Sequence, residues 1–319
     1  MKKHNNFNAK KGLKGPVTKV FITVVFILLL IYALSQVFVL GWGLMTSLKD
    51  ELEFSFSALS FPDVNGISKE AFWGFKYYKN LSNVMISKSV GYFSRGREVI
   101  GEVNAGLINM LFNSICYVVI AGVVRTIVPC IVAYMCAKYN YKLSKFVVSF
   151  AVVVLSVYII GAEPASVKLL RDLGIYNSFL GIAAQQSTFL GMYFLIFLAF
   201  FENMSNGYTE AAEIDGASQF RTMISIVLPL ASKTIVTIFL LNAIAFWNDY
   251  NTPLIYLPSY PTLAYGIYYA NTTTDSSLNL NSVPAKIACG MVLAVPMIII
   301  FVAFRNRLMG NVTMGGLKE

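Results

Sequence analysis

The stretch VFITVVFILLLIYALSQVFVLGWGL, residues 20–44, runs for 25 residues without a charged side chain. A helix needs roughly 20 apolar residues to cross the hydrocarbon core of a bilayer. The stretch is longer than the apolar region of a secretory signal peptide, and no small-residue cleavage site closes it. It therefore predicts a permanent transmembrane helix.

The composition extends this interpretation to the whole chain. Of its 319 residues, 56% are hydrophobic and only 13% are charged, against about a quarter in a typical soluble domain. Five further apolar runs follow the first, at residues 111–136, 146–162, 178–201, 234–257 and 287–304. They are too long for barrel strands and do not alternate. The predicted fold class is an all-α polytopic membrane protein with six transmembrane helices.

Basic residues near the predicted spans indicate the orientation. Six lysines lie within the first nineteen residues, and Lys138, Lys142 and Lys145 lie in the short loop between the second and third spans. Short loops rich in lysine and arginine stay in the cytoplasm, so both termini are predicted to be cytoplasmic. The net charge of +9 is thus explained by topology, and no basic face with interleaved aromatics indicates a nucleic-acid partner.

The residue inventory argues against an enzyme and against a bound metal or cofactor. The single histidine, His4, cannot build a catalytic triad, a zinc site or a proton relay. The sequence has no GxxxxGK[ST] motif for ATP phosphates. The four cysteines fall in apolar runs without a CxxC spacing and are predicted to be packing residues.

A polar stretch, EAAEIDGASQFRTMISIVLP at residues 210–229, separates the fourth and fifth runs. Glu210 and Glu213 are predicted to lie in the first turn of a short helix capped by Thr209, where the helix dipole favours acids. A sharp turn follows at Gly216, the residue that best tolerates such a backbone.

A second short helix is predicted after the turn. Ser218 is its expected N-cap, and Pro229 is expected to end or bend it as the chain enters the membrane. The stretch is therefore predicted to form a helix, a turn and a helix at the cytoplasmic mouth.

The spacing E-A-A-x3-G-x9-I-x-L-P in residues 210–229 resembles the EAA signature of permease subunits of binding-protein-dependent ABC importers. FWNDYNTPL at residues 246–254 resembles the WNxxxxPL segment of maltose-type carbohydrate permeases. LRDLGIYNS at residues 170–178 and the last helix and tail at residues 295–319 are similar to further parts of that family. The resemblance covers about residue 113 to the end.

The resemblance implies that residues 203–230 are a loop that couples the chain to a cytoplasmic ATPase. The implied interface residues are Glu210, Ala211, Ala212, Glu213, Asp215, Gly216, Phe220, Arg221 and Pro229. It also implies a second EAA-type permease in a heterodimeric pore, two ATPase subunits that bind ATP and Mg, an extracytoplasmic substrate-binding protein, and a bacterial inner membrane location.

In this interpretation ATP drives alternating access of a cavity between the two permeases. The implied cargo is a sugar or oligosaccharide, while a polyol, glycerol-phosphate or similar solute stays open. A secondary active transporter of a small polar solute is the alternative from another class. Such a transporter is expected to show inverted repeats and a coupling-ion site, and the sequence shows neither.

Three polar residues inside predicted spans are candidates for the pathway or a subunit interface: Arg125, Asn248 and Asp249. An arginine near the middle of a span costs ~3 kcal/mol or more unless it faces protein or water. An inward or subunit-facing Arg125 is therefore favoured over a snorkelling one. Asp249 is equally compatible with a pore-lining role and with structural hydrogen bonding near the outer interface.

These predictions divide the chain into four segments. Residues 1–45 form a basic tail and the first helix, and residues 46–104 form an extracytoplasmic loop whose aromatics suggest a packed cap. Residues 105–305 form the importer transmembrane core with five helices. Residues 306–319 form a cytoplasmic tail.

Overall fold

The computed structural model describes residues 16–81, 84–94, 97–139, 142–157, 161–272 and 282–310. The predicted basic tail and the end of the predicted C-terminal tail lie outside these ranges. The chain divides into two compact units. One comprises Met1–Tyr77 and Ser282–Met291, and the other comprises Tyr78–Asn281 and Val292–Glu319.

The first unit begins with the long helix α1, Pro16–Thr46, which matches the predicted first span. Within the described residues, none of the most hydrophobic stretch of the helix is buried. Three short helices follow: α2 Glu51–Phe56, α3 Lys69–Trp73 and α4 Lys76–Leu81, the last of which runs into the second unit.

Polar contacts hold the segment after α1 together. The buried Lys49 ammonium donates to the Ser57 carbonyl oxygen at 2.7 Å, and burial lowers the pKa of Lys49 while Glu53 partly opposes this. Lys76 donates to the Asp50 carboxylate at 2.8 Å, and this hydrogen bond raises the pKa of Lys76. These contacts give the segment a defined structure, although Trp73 and Phe75, two of the aromatic residues of the predicted cap, are exposed.

A β-hairpin in the predicted 46–104 loop corrects the all-α prediction. Strand β1, Val84–Ser94, pairs antiparallel with β2, Arg97–Gly106, and Tyr92 lies opposite Val99. Alternating β-branched and aromatic residues favour such a hairpin. The hairpin is absent from the predicted apolar runs because each strand is only about half as long as a membrane-spanning helix.

The remaining helices belong to the second unit, apart from the start of the last one. They are α5 Leu107–Lys138, α6 Lys142–Ser156, α7 Glu163–Asp172, α8 Phe179–Gln186, α9 Met192–Glu202, α10 Gly207–Ile214, α11 Gln219–Thr222, α12 Leu228–Leu230, α13 Ser232–Trp247, α14 Asn251–Tyr256, α15 Leu263–Thr272 and α16 Val283–Gly310. A π-helical stretch, Met223–Val227, connects α11 and α12.

Three helices in the described ranges are long and apolar enough to cross a membrane: Thr18–Thr46, Leu107–Lys138 and Val283–Arg305. The pair Gln219–Leu230 and Ser232–Trp247, bent by 71°, counts as a fourth if it forms one span. These helices correspond to the predicted first, second, sixth and fifth spans.

The third, fourth and fifth predicted spans are not continuous helices. In the third, α6 ends at Ser156 and α7 begins only at Glu163. In the fourth, the helix stops at Gln186 and resumes at Met192. The fifth breaks after Trp247, because Pro253 lies at the third position of the next helix and its ring favours a helix start.

Helix α5 forms the centre of the second unit and packs against α8, α9, α13 and α15. Phe194, Phe197 and Phe201 of α9 are fully buried in a core cluster that includes Cys130 of α5. Gly122 lets α13 approach closely, since a β-carbon there would lie 3.0 Å from the Phe239 ring. The buried Cys130 fits the predicted packing role of the cysteines.

Candidate functional site

The polar stretch begins with α10, whose N-terminus differs from the prediction. Asn206 takes the N-cap position, and Thr209 lies inside the helix and donates its hydroxyl to the Asn206 carbonyl oxygen at 2.7 Å. Glu210 lies in the first turn as predicted, whereas Glu213 lies near the C-terminal end. The helix therefore begins at Gly207, three residues earlier than predicted.

A sharp turn joins α10 to α11, as predicted. Gly216 has a φ of +73°, in the left-handed region that favours glycine. The Ala217 amide donates to the Ala212 carbonyl oxygen at 2.9 Å and closes the helix end. Ser218 then caps α11 by accepting a hydrogen bond from the Arg221 amide at 3.4 Å.

The predicted coupling residues form an exposed surface around this turn. Ala212 alone among them is buried, against the rest of the second unit. The exposed members are Glu210, Ala211, Glu213, Asp215, Gly216, Phe220, Arg221 and Pro229. Ile214, which the sequence analysis passed over, is 87% exposed, and Phe220 is 68% exposed. We refer to residues 207–221, the part of the predicted 203–230 loop that surrounds this turn, as the coupling segment.

Lys138, the last residue of α5, attaches this helix to the chain just before the coupling segment. Its ammonium donates to the Met204 carbonyl oxygen at 2.7 Å and to Asn206 Oδ1 at 2.8 Å. The same lysine lines a small cleft with Glu210 and Glu213. The coupling segment is therefore fixed to the end of the central helix.

A bend connects the coupling segment to the membrane core. The π-helical stretch Met223–Val227 precedes Pro229, and the helix axis turns by 71° between Leu230 and Ser232. Proline lacks an amide hydrogen and disfavours a continuous helix. This agrees with the predicted bend at Pro229.

Arg125 lies on the inner side of α5 and contacts protein. Its Nη1 donates to Gln186 Oε1 at 2.7 Å, and its guanidinium lies 5.8 Å from the centre of the Phe246 ring. Pro129, four residues later, removes the amide that would bond the Arg125 carbonyl. The contacts favour the inward-facing interpretation over snorkelling.

Asp249 acts as a hydrogen-bond acceptor for two elements. Tyr117 of α5 donates its hydroxyl to Asp249 Oδ2 at 2.8 Å, and the Thr252 amide donates to Oδ1 at 3.0 Å. Asn248 is exposed and donates to the Ile244 carbonyl oxygen at 3.0 Å. These bonds favour the structural alternative for Asp249, while both residues stay candidates for the pathway.

The structure adds polar residues that the sequence analysis missed. The partner of Arg125 is Gln186, and the partner of Asp249 is Tyr117. A buried amide, Asn242, also donates to the Thr126 hydroxyl at 3.2 Å. A glutamine inside an apolar run was a usable signal, since polar residues in spans usually pair with one another.

No group of three or more metal-ligating side chains occurs in the ranges that the structure describes.

Residues 131–312 match the family model of the binding-protein-dependent transport system inner membrane component. The chain belongs to this family. It is therefore a multi-pass protein of the cell membrane, and its relatives are transport subunits.

Three relatives match much of the chain. The diacetylchitobiose uptake system permease protein of Streptomyces coelicolor is 23% identical over 91% of this chain and 87% of its own length. The melibiose/raffinose/stachyose import permease protein of Bacillus subtilis is 25% identical over 67% of this chain and 77% of its length. The trehalose transport system permease protein of Mycobacterium tuberculosis is 25% identical over 65% of this chain and 76% of its length.

A solved structure shares the fold. It is the crystal structure of a bacterial ABC transporter involved in the import of the acidic polysaccharide alginate, with a TM-score of 0.66 and 22% sequence identity. The match covers 92% of this chain and 98% of the solved chain. This chain therefore has the same fold as that ABC transporter chain.

Proposed function

We propose that the chain is the permease subunit of an ATP-driven importer and forms half of the pathway for a sugar or oligosaccharide. The coupling segment supports this proposal, because it is an exposed helix and turn that Lys138 fixes to the central helix of the membrane core. Six transmembrane helices with cytoplasmic termini complete the proposal. In that topology the coupling segment lies in the cytoplasm.

The surface of the coupling segment suits a protein partner. Ile214 and Phe220 expose large apolar side chains on the two sides of the Gly216 turn. Apolar anchors of this kind, with a charged residue such as Glu210 at the rim, are typical of docking sites. The proposed partner is one of two ATPase subunits, which would bind ATP and Mg.

The helix connections suggest how movement of the coupling segment reaches the pathway. The coupling segment continues through the bend at Pro229 into α13, and α13 packs along α5. These two helices carry Phe246 and Arg125. A rigid displacement of the coupling segment would therefore shift the α5–α13 pair and support alternating access between this chain and a second, different permease.

The substrate class is proposed from the names of the relatives, which are permeases for diacetylchitobiose, for melibiose, raffinose and stachyose, and for trehalose. An extracytoplasmic binding protein would deliver the sugar. Uptake of radiolabelled oligosaccharides, compared with glycerol-phosphate and polyols, tests the class. Transport of a polyol and of no sugar would contradict it.

The coupling role is tested by Glu210→Ala, with Glu202→Ala as a matched control because Glu202 is also an exposed acid outside the coupling segment. Loss of one partner of a desolvated charge pair costs about 2 to 5 kcal/mol. We expect weaker co-purification of the ATPase at equal permease level for Glu210→Ala only. Unchanged co-purification and unchanged uptake would exclude this segment as the coupling element.

A further inference from the structure

An exposed apolar surface follows α1 in the first unit. Phe56, Leu59 and Phe61 are 83%, 72% and 84% exposed, and we call these three residues the apolar rim. Isolated exposed apolar residues are common in proteins, but three large ones within six positions are a concentration that usually marks a contact.

In this segment charged side chains are buried and apolar side chains are exposed, which is the opposite of the arrangement in a typical water-facing loop. Lys49 is fully buried and donates to the Ser57 carbonyl oxygen at 2.7 Å and to the Ser60 hydroxyl at 3.2 Å. Glu53 is also buried and accepts from the Asp63 amide at 3.0 Å. Lysine and glutamate are rarely buried unless paired, so these contacts hold the apolar rim outward.

A hydrogen bond sets the depth of the apolar rim. Trp42 Nε1 donates to the Ala58 carbonyl oxygen at 2.9 Å, and Ala58 lies between Phe56 and Leu59 in the chain. Trp42 lies about 6 Å before the end of α1 at Thr46, from a rise of 1.5 Å per residue. Tryptophan is enriched at the membrane–water interface. The apolar rim therefore lies level with the last turn of the membrane helix.

We propose that the apolar rim is a membrane anchor, which inserts Phe56, Leu59 and Phe61 between the lipid headgroups of the leaflet in which α1 ends. Interfacial segments of this kind bury their apolar side chains about 5–10 Å into the headgroup and acyl boundary. The proposal rests on the membrane location of the family and not on the identity of the substrate.

Lipid is favoured over a protein partner for two reasons. Apolar side chains of α1 are exposed from Val20 to Leu40, and the hydrogen bond from Trp42 to Ala58 attaches the apolar rim to the last turn of that helix. A soluble binding protein approaches from the water, whereas the hydrogen bond from Trp42 holds Ala58 about one helical turn inside the end of α1. A second permease is the remaining occupant, and the experiment separates it from lipid.

The experiment uses the intact transporter, purified with the subunits that accompany the chain and reconstituted in vesicles of phosphatidylglycerol and phosphatidylethanolamine. The native cysteines Cys116, Cys130, Cys136 and Cys289 are first replaced by alanine. Phe61→Cys carries a bimane fluorophore, Leu59→Cys serves as a second position, and Asn65→Cys is the exposed polar control. Co-purification of the partner subunits verifies that each variant is assembled.

We expect nitroxide-labelled lipids to quench bimane at positions 59 and 61 but not at position 65. Aqueous iodide should quench position 61 at least ~3-fold less than position 65, because an interfacial side chain is shielded from water. Equal iodide quenching at positions 61 and 65, or protection of position 61 from both quenchers, would overturn the proposal. The second result would indicate a covering subunit, and loss of lipid quenching on addition of the binding protein would overturn it as well.

Discussion

The ammonium of Lys138 lies 2.7 Å from the carbonyl oxygen of Met204, which joins the end of the central helix α5 to the chain entering the coupling segment. A lysine can make three such bonds, and Lys138 also donates to Asn206 Oδ1 at the N-cap of α10. One side chain thus fixes both the position and the start of the coupling helix.

The first prediction concerns this contact. Lys138→Ala should lower uptake while the chain still inserts, because charged hydrogen bonds of this type contribute about 1.5–3 kcal/mol. Uptake and ATPase activity of the reconstituted transporter measure the effect, and we expect hydrolysis to fall less than transport. Lys145→Ala is the control, since Lys145 is exposed at the start of α6. Equal uptake by both variants would show that the contact is dispensable.

The second prediction concerns the pair formed by Arg125 and Gln186. Arg125→Leu leaves the buried Gln186 oxygen without its donor, at a cost of about 1–3 kcal/mol. Thermal unfolding of the detergent-solubilised complex should therefore shift to lower temperature. Arg125→Lys should be milder because it retains a donor.

The double variant Arg125→Leu with Gln186→Leu is the decisive comparison. Removal of both polar partners from a buried site often changes stability little. The double variant should therefore lose less stability than the sum of the losses in the two single variants. Additive losses would show that the two side chains do not interact. Wild-type behaviour of Arg125→Leu would favour the snorkelling account.

The pairing of Arg125 illustrates what the sequence could predict and what it could not. An arginine in an apolar run predicts a buried partner, because an unpaired charge in a membrane is costly. It does not identify the partner, since Gln186 lies 61 positions away and is brought close only by the packing of α8 on α5. Local patterns carry no information about such a contact.

The transmembrane spans also show what hydrophobicity can predict and what it cannot. The first span was predicted correctly because hydrophobicity alone specifies a helix in lipid, where backbone groups must bond internally. The break between Gln186 and Met192 was not predicted, since the intervening residues include Phe189 and Leu190 and keep the run apolar. A backbone break within protein leaves hydrophobicity unchanged. In contrast, the turn at Gly216 was predicted because a left-handed residue has a specific sequence preference.

The third prediction distinguishes the two roles of Asp249. If Asp249 is structural, Tyr117→Phe and Asp249→Asn should each lower the unfolding temperature and leave the KM for uptake unchanged. The double variant should again lose less stability than the sum of the two single variants, because each single substitution already removes the same hydrogen bond. Asn248→Ala tests the neighbouring pathway candidate separately, since Asn248 is exposed and donates to the Ile244 carbonyl oxygen rather than to Tyr117. A raised KM for Asp249→Asn with unchanged stability would instead place this carboxylate in the pathway.

The last prediction concerns Gly216, where strain can be separated from steric clash. A β-carbon at this position would meet nothing within 4 Å, so a substitution acts through the backbone alone. Valine disfavours the observed φ of +73° and should cost roughly 1–3 kcal/mol locally. Asparagine tolerates the left-handed region and is the matched control.

We expect Gly216→Val to change the direction of α11 relative to α10, so that Phe220 no longer reaches its docking position together with Ile214. Uptake should then fall while the chain remains in the membrane at normal level, and Gly216→Asn should retain most of the uptake. Membrane protein level and ATPase co-purification control for assembly. If Gly216→Val and Gly216→Asn transport equally well, the angle between the two helices does not matter for coupling, and the rigid displacement proposed for this segment is wrong.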